Sequence, residues 1–174
     1  MQNKDELELI AHSLNGDHIA YGILVDRYKN AIFYHCFAIV HDEASAEDIA
    51  QETFITAYYK LHLYNADYRL STWLFKIATN KALDNLRKHR HEIKTDDSIF
   101  DTLPGKQPGP DKSAHYDELH RAVEALAPKH RAVISLYYWQ GLSYNEIATV
   151  MSAPVGSVQG WMHRAKAILR KELS

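Results

Sequence analysis

From Asp17 to Arg90 the chain contains no proline and a single glycine, Gly22. So long a stretch without a helix breaker, with apolar residues recurring three and four apart, fits helices and does not fit the alternation of strands. The interruptions are few. Asn15-Gly16 is a helix stop signal, His41-Asp42-Glu43 is a polar turn, and Tyr64-Asn65-Ala66-Asp67-Tyr68 is a loop without glycine or proline. They predict helices at about 4–14, 17–39, 43–63 and 70–90.

Composition changes near Thr95. The segment from Asp96 to Asp111 holds Pro104, Pro108 and Pro110, three of the chain's five prolines, and cannot propagate a helix. Helical spacing resumes beyond it, at about 113–126, 129–140, 143–151 and 155–172. The expected architecture is all-α: two small helical domains, 1–94 and 113–174, joined by a flexible linker at 95–112, the C-terminal one a helix-turn-helix.

The formal net charge is −2, which by itself argues against a nucleic-acid binder. The charge is, however, segregated. Asp42, Glu43, Glu47, Asp48 and Glu52 occupy a stretch to Tyr59 without Lys or Arg. From Arg69 to Lys94 the cations Arg69, Lys76, Lys81, Arg87, Lys88, Arg90 and Lys94 face only Asp84 and Glu92. An acidic helix beside a basic one suggests two different partners.

Other chemistries find little support. Cys36 is the single cysteine, so no intramolecular disulfide can form, and its apolar run Ala31–Phe37 suggests a buried, inert thiol. Eleven histidines invite a metal reading, but no HExxH and no His/Cys group with ligand spacing occurs; His89, His91 and His163 read as surface residues. There is no glycine-rich phosphate loop and no nucleophile–base arrangement, so no catalysis and no cofactor are expected. The first residues lack a signal-peptide apolar region and nothing approaches a membrane span, so a cytoplasmic location without direct membrane insertion is expected.

The sharpest local signal is Gly141-Leu142-Ser143-Tyr144-Asn145-Glu146-Ile147-Ala148-Thr149-Val150-Met151. Ser143 and Glu146 have capping-box spacing. Ile147, Ala148 and Met151 give the short helix an apolar face, and Ser152-Ala153-Pro154 makes a turn before a second helix. On that helix Val158, Met162, Ala165 and Leu169 share an inward face, while Ser157, Gly160, Trp161 and Arg164 lie opposite. A helix so placed enters the major groove, with Arg164, Lys166, Arg170 and Lys171 available to phosphates. The bland reading is a packed helical hairpin with a solvated basic end.

Two faces of the first half carry candidate sites. On 43–63, Ala46, Ala50, Phe54, Ala57 and Leu61 read as core, and Asp48, Gln51, Glu52, Ile55 and Tyr59 form a second stripe. Carboxylates beside exposed apolar groups suit a protein interface, although a solvated acidic face accounts for them as well. On 70–90, Trp73, Lys76, Asn80, Leu83 and Arg87 cluster on one side. Cations, an amide and an aromatic beside a polar loop suit single-stranded DNA; a core Trp73 with solvated cations fits equally.

These segments are similar to the extracytoplasmic-function (ECF) sigma factors. Leu126-Ala127-Pro128-Lys129-His130-Arg131-Ala132-Val133, Gly141-Leu142-Ser143-Tyr144, Glu146-Ile147-Ala148, Pro154-Val155-Gly156-Ser157-Val158 and His163-Arg164-Ala165 resemble the family's fourth conserved region. Ala46 to Tyr58 and Ser71 to Arg87 resemble its second. The resemblance implies a sigma factor that binds core RNA polymerase and directs promoter-specific initiation. It implies that Asp48, Gln51, Glu52 and Ile55 meet the clamp helices of the largest subunit. Tyr64, Asn65, Trp73, Lys76, Asn80 and Arg87 would then melt and read the minus-ten element. Ser157, Gln159, Gly160, Trp161 and Arg164 would read the minus-thirty-five element, and the second domain would contact the polymerase flap. An anti-sigma factor is the implied control, able to hold the chain at the membrane.

One stretch departs from the family, which usually continues after the Val158 position with a lysine, a serine and an arginine. Here those positions are Gln159, Gly160 and Trp161. Two cations are lost, and Trp161 would pack on sugar, a thymine methyl or protein. The linker, with Asp96, Asp97, Asp101 and Asp111 against Lys106 and Lys112, suits a basic polymerase channel as well as it suits a solvated tether. Two other readings compete: a stand-alone helix-turn-helix regulator acting without core polymerase, and a helical adaptor that has lost DNA binding.

Overall fold

A computed structural model describes residues 4–95 and 121–173, which form seven principal helices. They are α1 (Lys4–Leu14), α2 (His18–Val40), α3 (Glu43–Lys60), α4 (Leu70–Thr95), α5 (Pro128–Ile134), α6 (Tyr144–Met151) and α7 (Val155–Glu172). A 3-10 turn at Leu61–Leu63 extends α3, and a π-helical stretch at Ser135–Trp139 extends α5. The described residues contain no strand, and the linker lies outside them.

The helix ends follow from local chemistry. Gly16 has φ +88°, which glycine tolerates and which closes α1. Asp17 then caps α2, accepting from Ile19 N–H at 2.9 Å and Ala20 N–H at 3.1 Å. His41 ends α2 at φ 55°, its N–H donating to Phe37 C=O at 2.9 Å, and Asp42 caps α3 by accepting from Ser45 N–H at 2.8 Å. The polar turn read from the sequence is thus a C-cap joined directly to an N-cap.

The first four helices pack around Ile10, Leu24, Ile32, Cys36, Ile39, Phe54, Leu74, Phe75 and Ala78. On α3 the buried set includes Ala46, Ala50, Phe54 and Ala57, with Leu61 following, as the spacing predicts. Small residues there let α2 and α4 approach closely. Cys36 is fully buried, and burial pushes its thiol up to about 12, so it is inert. In the second half Leu136, Ile147, Val150, Val158, Met162 and Ala165 make the core. On α6 the spacing singled out Ile147, Ala148 and Met151; Ile147 and Val150 are the buried pair, and Ala148 and Met151 are half-buried.

The two helical units do not stand apart. Their buried residues form one continuous cluster. Helix α6 lies on α4, and α5 lies on α2. The linker therefore connects halves that share a seam.

Candidate nucleic-acid interface

Helix α3 turns its core face to α2 and α4 and leaves Asp48, Gln51, Glu52, Ile55 and Tyr59 exposed. Ile55 is 57% exposed and Tyr59 72%, large for apolar groups on a helix with a ready core. Lys81 Nζ reaches across from α4 to within 3.3 Å of Glu52 Oε2. The face is thus a carboxylate patch with two apolar projections.

Helix α4 divides its expected site residues. Asn80 and Arg87 are exposed, and Trp73, Lys76 and Leu83 are half-buried. The Trp73 ring lies 5.4 Å from that of Tyr64, tilted 50°, and helps line an apolar crevice with Tyr21, Leu24, Phe54, Leu61 and Leu70. Trp73 therefore has a packing role and keeps only part of its surface outward. Arg87 pairs with Asp84 at 2.8 Å.

The loop before α4 is shaped from within. The Tyr64 hydroxyl donates to the Tyr68 carbonyl, and Asn65 Oδ1 accepts from Asp67 N–H at 2.9 Å. Such an Asx turn holds a loop without glycine or proline. Asn65, Ala66, Asp67 and Tyr68 stay exposed on it.

The helix-turn-helix has the expected capping box. Ser143 N–H donates to Glu146 Oε2 at 2.9 Å, and Glu146 N–H donates to Ser143 Oγ at 3.3 Å. Burial raises the Glu146 carboxyl, but the Ser143 hydrogen bonds and nearby Arg69 outweigh it and hold the group below its ordinary value. Ser152, at φ 50°, makes the left-handed turn into α7. On α7, Val158, Met162 and Ala165 are buried, and Leu169, expected inward, is half-buried. Opposite them, Gln159, His163 and Arg164 are exposed, and Ser157, Gly160 and Trp161 are half-buried. Lys129 Nζ, from α5, sits 5.3 Å from the centre of the Trp161 ring.

Sequence reasoning did not identify the groups at the seam. His35 is fully buried, with Nδ1 2.9 Å from Ser135 Oγ of the second half and Nε2 2.8 Å from Thr79 Oγ1 of α4. Burial pulls its pKa down to about 3, so the ring is neutral. Arg131 is 9% exposed, and Nη2 donates at 2.6 Å to the Ile39 carbonyl while Nη1 donates at 2.9 Å to that of Leu126. Arg69 and Glu146 approach to 3.5 Å across the same seam. The available signals were one polar residue in the run Ala31–Phe37 and a cation flanking the apolar run Ala132–Ile134.

Among the described residues no group of three His, Cys, Asp or Glu could hold a metal ion, and no helix is long and apolar enough to cross a membrane. His89, His91 and His163 are exposed, as expected.

Comparison with known proteins fits the two halves separately and together. Residues 24–92 match the family described as Sigma-70 region 2, and residues 116–169 match Sigma-70, region 4. The chain is 34% identical to the ECF RNA polymerase sigma factor SigW of Bacillus subtilis, over 91% of each. It is 33% identical to the RNA polymerase sigma-H factor of Pseudomonas aeruginosa, over 99% of this chain and 95% of the relative. Among solved structures, CnrH in complex with the cytosolic domain of CnrY superposes with a TM-score of 0.71 at 27% identity, covering 98% and 97% of the two chains. The sigma factor RpoE of Bartonella quintana, in complex with the anti-sigma factor NepR, shares the fold with a TM-score of 0.77 at 23% identity, over 88% and 96%. With an acidic apolar face, a cationic helix and a capped helix-turn-helix in this order, and relatives matched along nearly their whole length, the chain belongs to the extracytoplasmic-function sigma factors of the sigma-70 family.

Proposed function

We propose that the chain binds core RNA polymerase through the α3 face and reads promoters with α4 and α7. Asp48, Gln51 and Glu52 would steer the encounter with the clamp helices of the largest subunit, and Ile55 would anchor it. Rim charge sets the rate and orientation of docking, and a few desolvated apolar groups hold it. The observation that carries this reading is the exposure of Ile55 and Tyr59 amid those carboxylates.

The minus-ten element would meet Asn80, Lys76 and Arg87, with the outward edge of Trp73 and the loop around Tyr64 and Asn65 receiving an unstacked base. Extruding a base costs a few kcal/mol, supplied here by binding. The minus-thirty-five element would meet Ser157, Gln159, Gly160, Trp161 and Arg164. The polymerase flap would seat in the apolar groove between α5 and α7, lined by Val123, Ile134, Tyr138, Trp139, Leu169 and Leu173, with Lys166 and Arg170 beside it. The chain would act in the cytoplasm as a polymerase subunit and perform no catalysis of its own.

Control would come from an anti-sigma factor, as the partners of CnrH and RpoE suggest. The seam gives such a partner a closed state to favour, because the His35–Ser135 and Arg131–Ile39 hydrogen bonds and the Arg69–Glu146 pair form only when the halves meet. The stand-alone regulator is not favoured, since it leaves the α3 face and α4 without a role. Footprinting of holoenzyme on promoters that depend on this chain tests the DNA assignments. Protection at both elements is expected, and protection without core polymerase would favour the stand-alone regulator.

A further inference from the structure

The front of the recognition helix lacks a cation. From Val155 to His163, α7 contains no Lys or Arg, and Arg164 is the first. Lys166 lies on the other side of the helix, 5.8 Å from the Tyr137 ring and 5.7 Å from that of Tyr138. A helix that inserts its N-terminal turns into a major groove ordinarily needs phosphate contacts there, because those contacts fix its register.

The neighbouring helix supplies what α7 lacks. Lys129 is exposed at the start of α5, with its ammonium over the Trp161 ring. The indole is half-buried against the core, so its face is a fixed platform, and a cation held on such a face loses reach but gains position. Among the described residues no carboxylate pairs with Lys129. The next residue, His130, is close enough to Arg164 to feel its charge. Residues 129 and 130 of α5 thus flank residues 161 and 164 of α7. Burial first, and Arg164 second, depress the His130 pKa, which leaves Lys129 and Arg164 as the two cations of the cluster.

We propose that Trp161 is a positioning residue that holds Lys129 as a phosphate contact for the minus-thirty-five duplex, replacing from α5 a cation absent from α7. The inference rests on α7 being the helix that reads that duplex. It gives the Trp161 part of the departure a physical sense, since the indole sets the position of the cation beside it.

The test is the salt dependence of binding. Wild-type holoenzyme selects a minus-thirty-five duplex from a randomised pool, and affinity for it is then measured against salt. Each phosphate contact contributes about 0.9 to the slope of log K against log salt. Lys129→Ala should lower the slope by about one contact, so that affinity falls roughly threefold to fourfold less between about 50 and about 200 mM salt. Trp161→Ala should do the same, the double variant should lose no more than either single one, and Trp161→Phe should restore the slope by keeping a ring face. An unchanged slope in Lys129→Ala overturns the proposal, as does a loss in Lys129→Ala that Trp161→Ala does not share. A wild-type holoenzyme that assembles but selects no duplex upstream overturns the assignment of α7 itself.

Discussion

Arg131 in α5 donates a hydrogen bond of 2.6 Å to the carbonyl oxygen of Ile39, in the last turn of α2 and 92 residues away in sequence. The last carbonyls of a helix have no partner within it, and a cation there also meets the negative end of the helix dipole. The second half of the chain thus completes a helix of the first. Burial lowers the Arg131 pKa, yet the guanidinium remains charged: the carbonyls of Ile39, Leu126 and Glu124 accept from its two Nη groups, while its buried Nε has no hydrogen-bond partner.

Removing that guanidinium should therefore weaken the closed arrangement. Arg131→Ala leaves the Ile39 carbonyl without this buried donor, at a cost of about 1–3 kcal/mol. Arg131→Lys recovers little, since one ammonium cannot span carbonyls from two helices. Urea unfolding should show the lost stability, and small-angle scattering should show a larger radius of gyration for Arg131→Ala. An unchanged radius and midpoint would contradict the role of the clasp.

His35 makes closure depend on pH. Its pKa is about 3 when buried, against an ordinary 6.5 when exposed. The neutral ring is required, so its contribution is complete above about 6.5 and is lost as pH falls through that value toward 3. The slope approaches about 1.4 kcal/mol per pH unit below the exposed pKa. His130, also depressed, adds a slope of the same sign. Protection factors for hydrogen exchange in α2, α4 and α5, which remove the intrinsic slowing of exchange in acid, should fall between about pH 6 and 4.5, and His35→Gln should remove the larger part of that change.

Gly160 sits inside α7 with open space at its Cβ position. Gly160→Ala should therefore raise stability by about 0.5–1 kcal/mol through lower chain entropy and better helix propensity. A lower melting midpoint would show that the backbone needs glycine there.

The capping box supplies a contrast. Ser143→Ala removes the acceptor of the Glu146 N–H and should cost about 1 kcal/mol, measured by denaturant midpoint. Glu146→Gln keeps the reciprocal hydrogen bond but loses the charge paired with Arg69, so it should cost less in stability and more in closure.

Much of this was legible along the chain. The spacing of Ala46, Ala50, Phe54 and Ala57 marked the buried side of α3, and Ser143 with Glu146 marked the start of α6. These are local signals, written within one or two turns. The seam is not local. A periodicity shows which face of a helix is buried and is silent about what covers it. His35 lay within an apolar run, and its partners Thr79 and Ser135 come from helices 44 and 100 residues away. Trp73 read equally as core or as a DNA platform because an indole serves both, and it is half-buried. Lys129 drew no separate reading, since only tertiary packing sets it against Trp161.

The central claim is that the exposed acidic face of α3 docks this sigma factor on polymerase. The direct measurement is binding to purified core RNA polymerase by gel filtration, comparing wild type with an Asp48→Arg/Glu52→Arg double variant. Both positions are exposed, and the Lys81–Glu52 pair is a surface contact of small worth, so the variant should stay folded. Co-elution of the wild type with core, and its loss in the folded variant, is the expected result. Equal co-elution of the two would contradict the account.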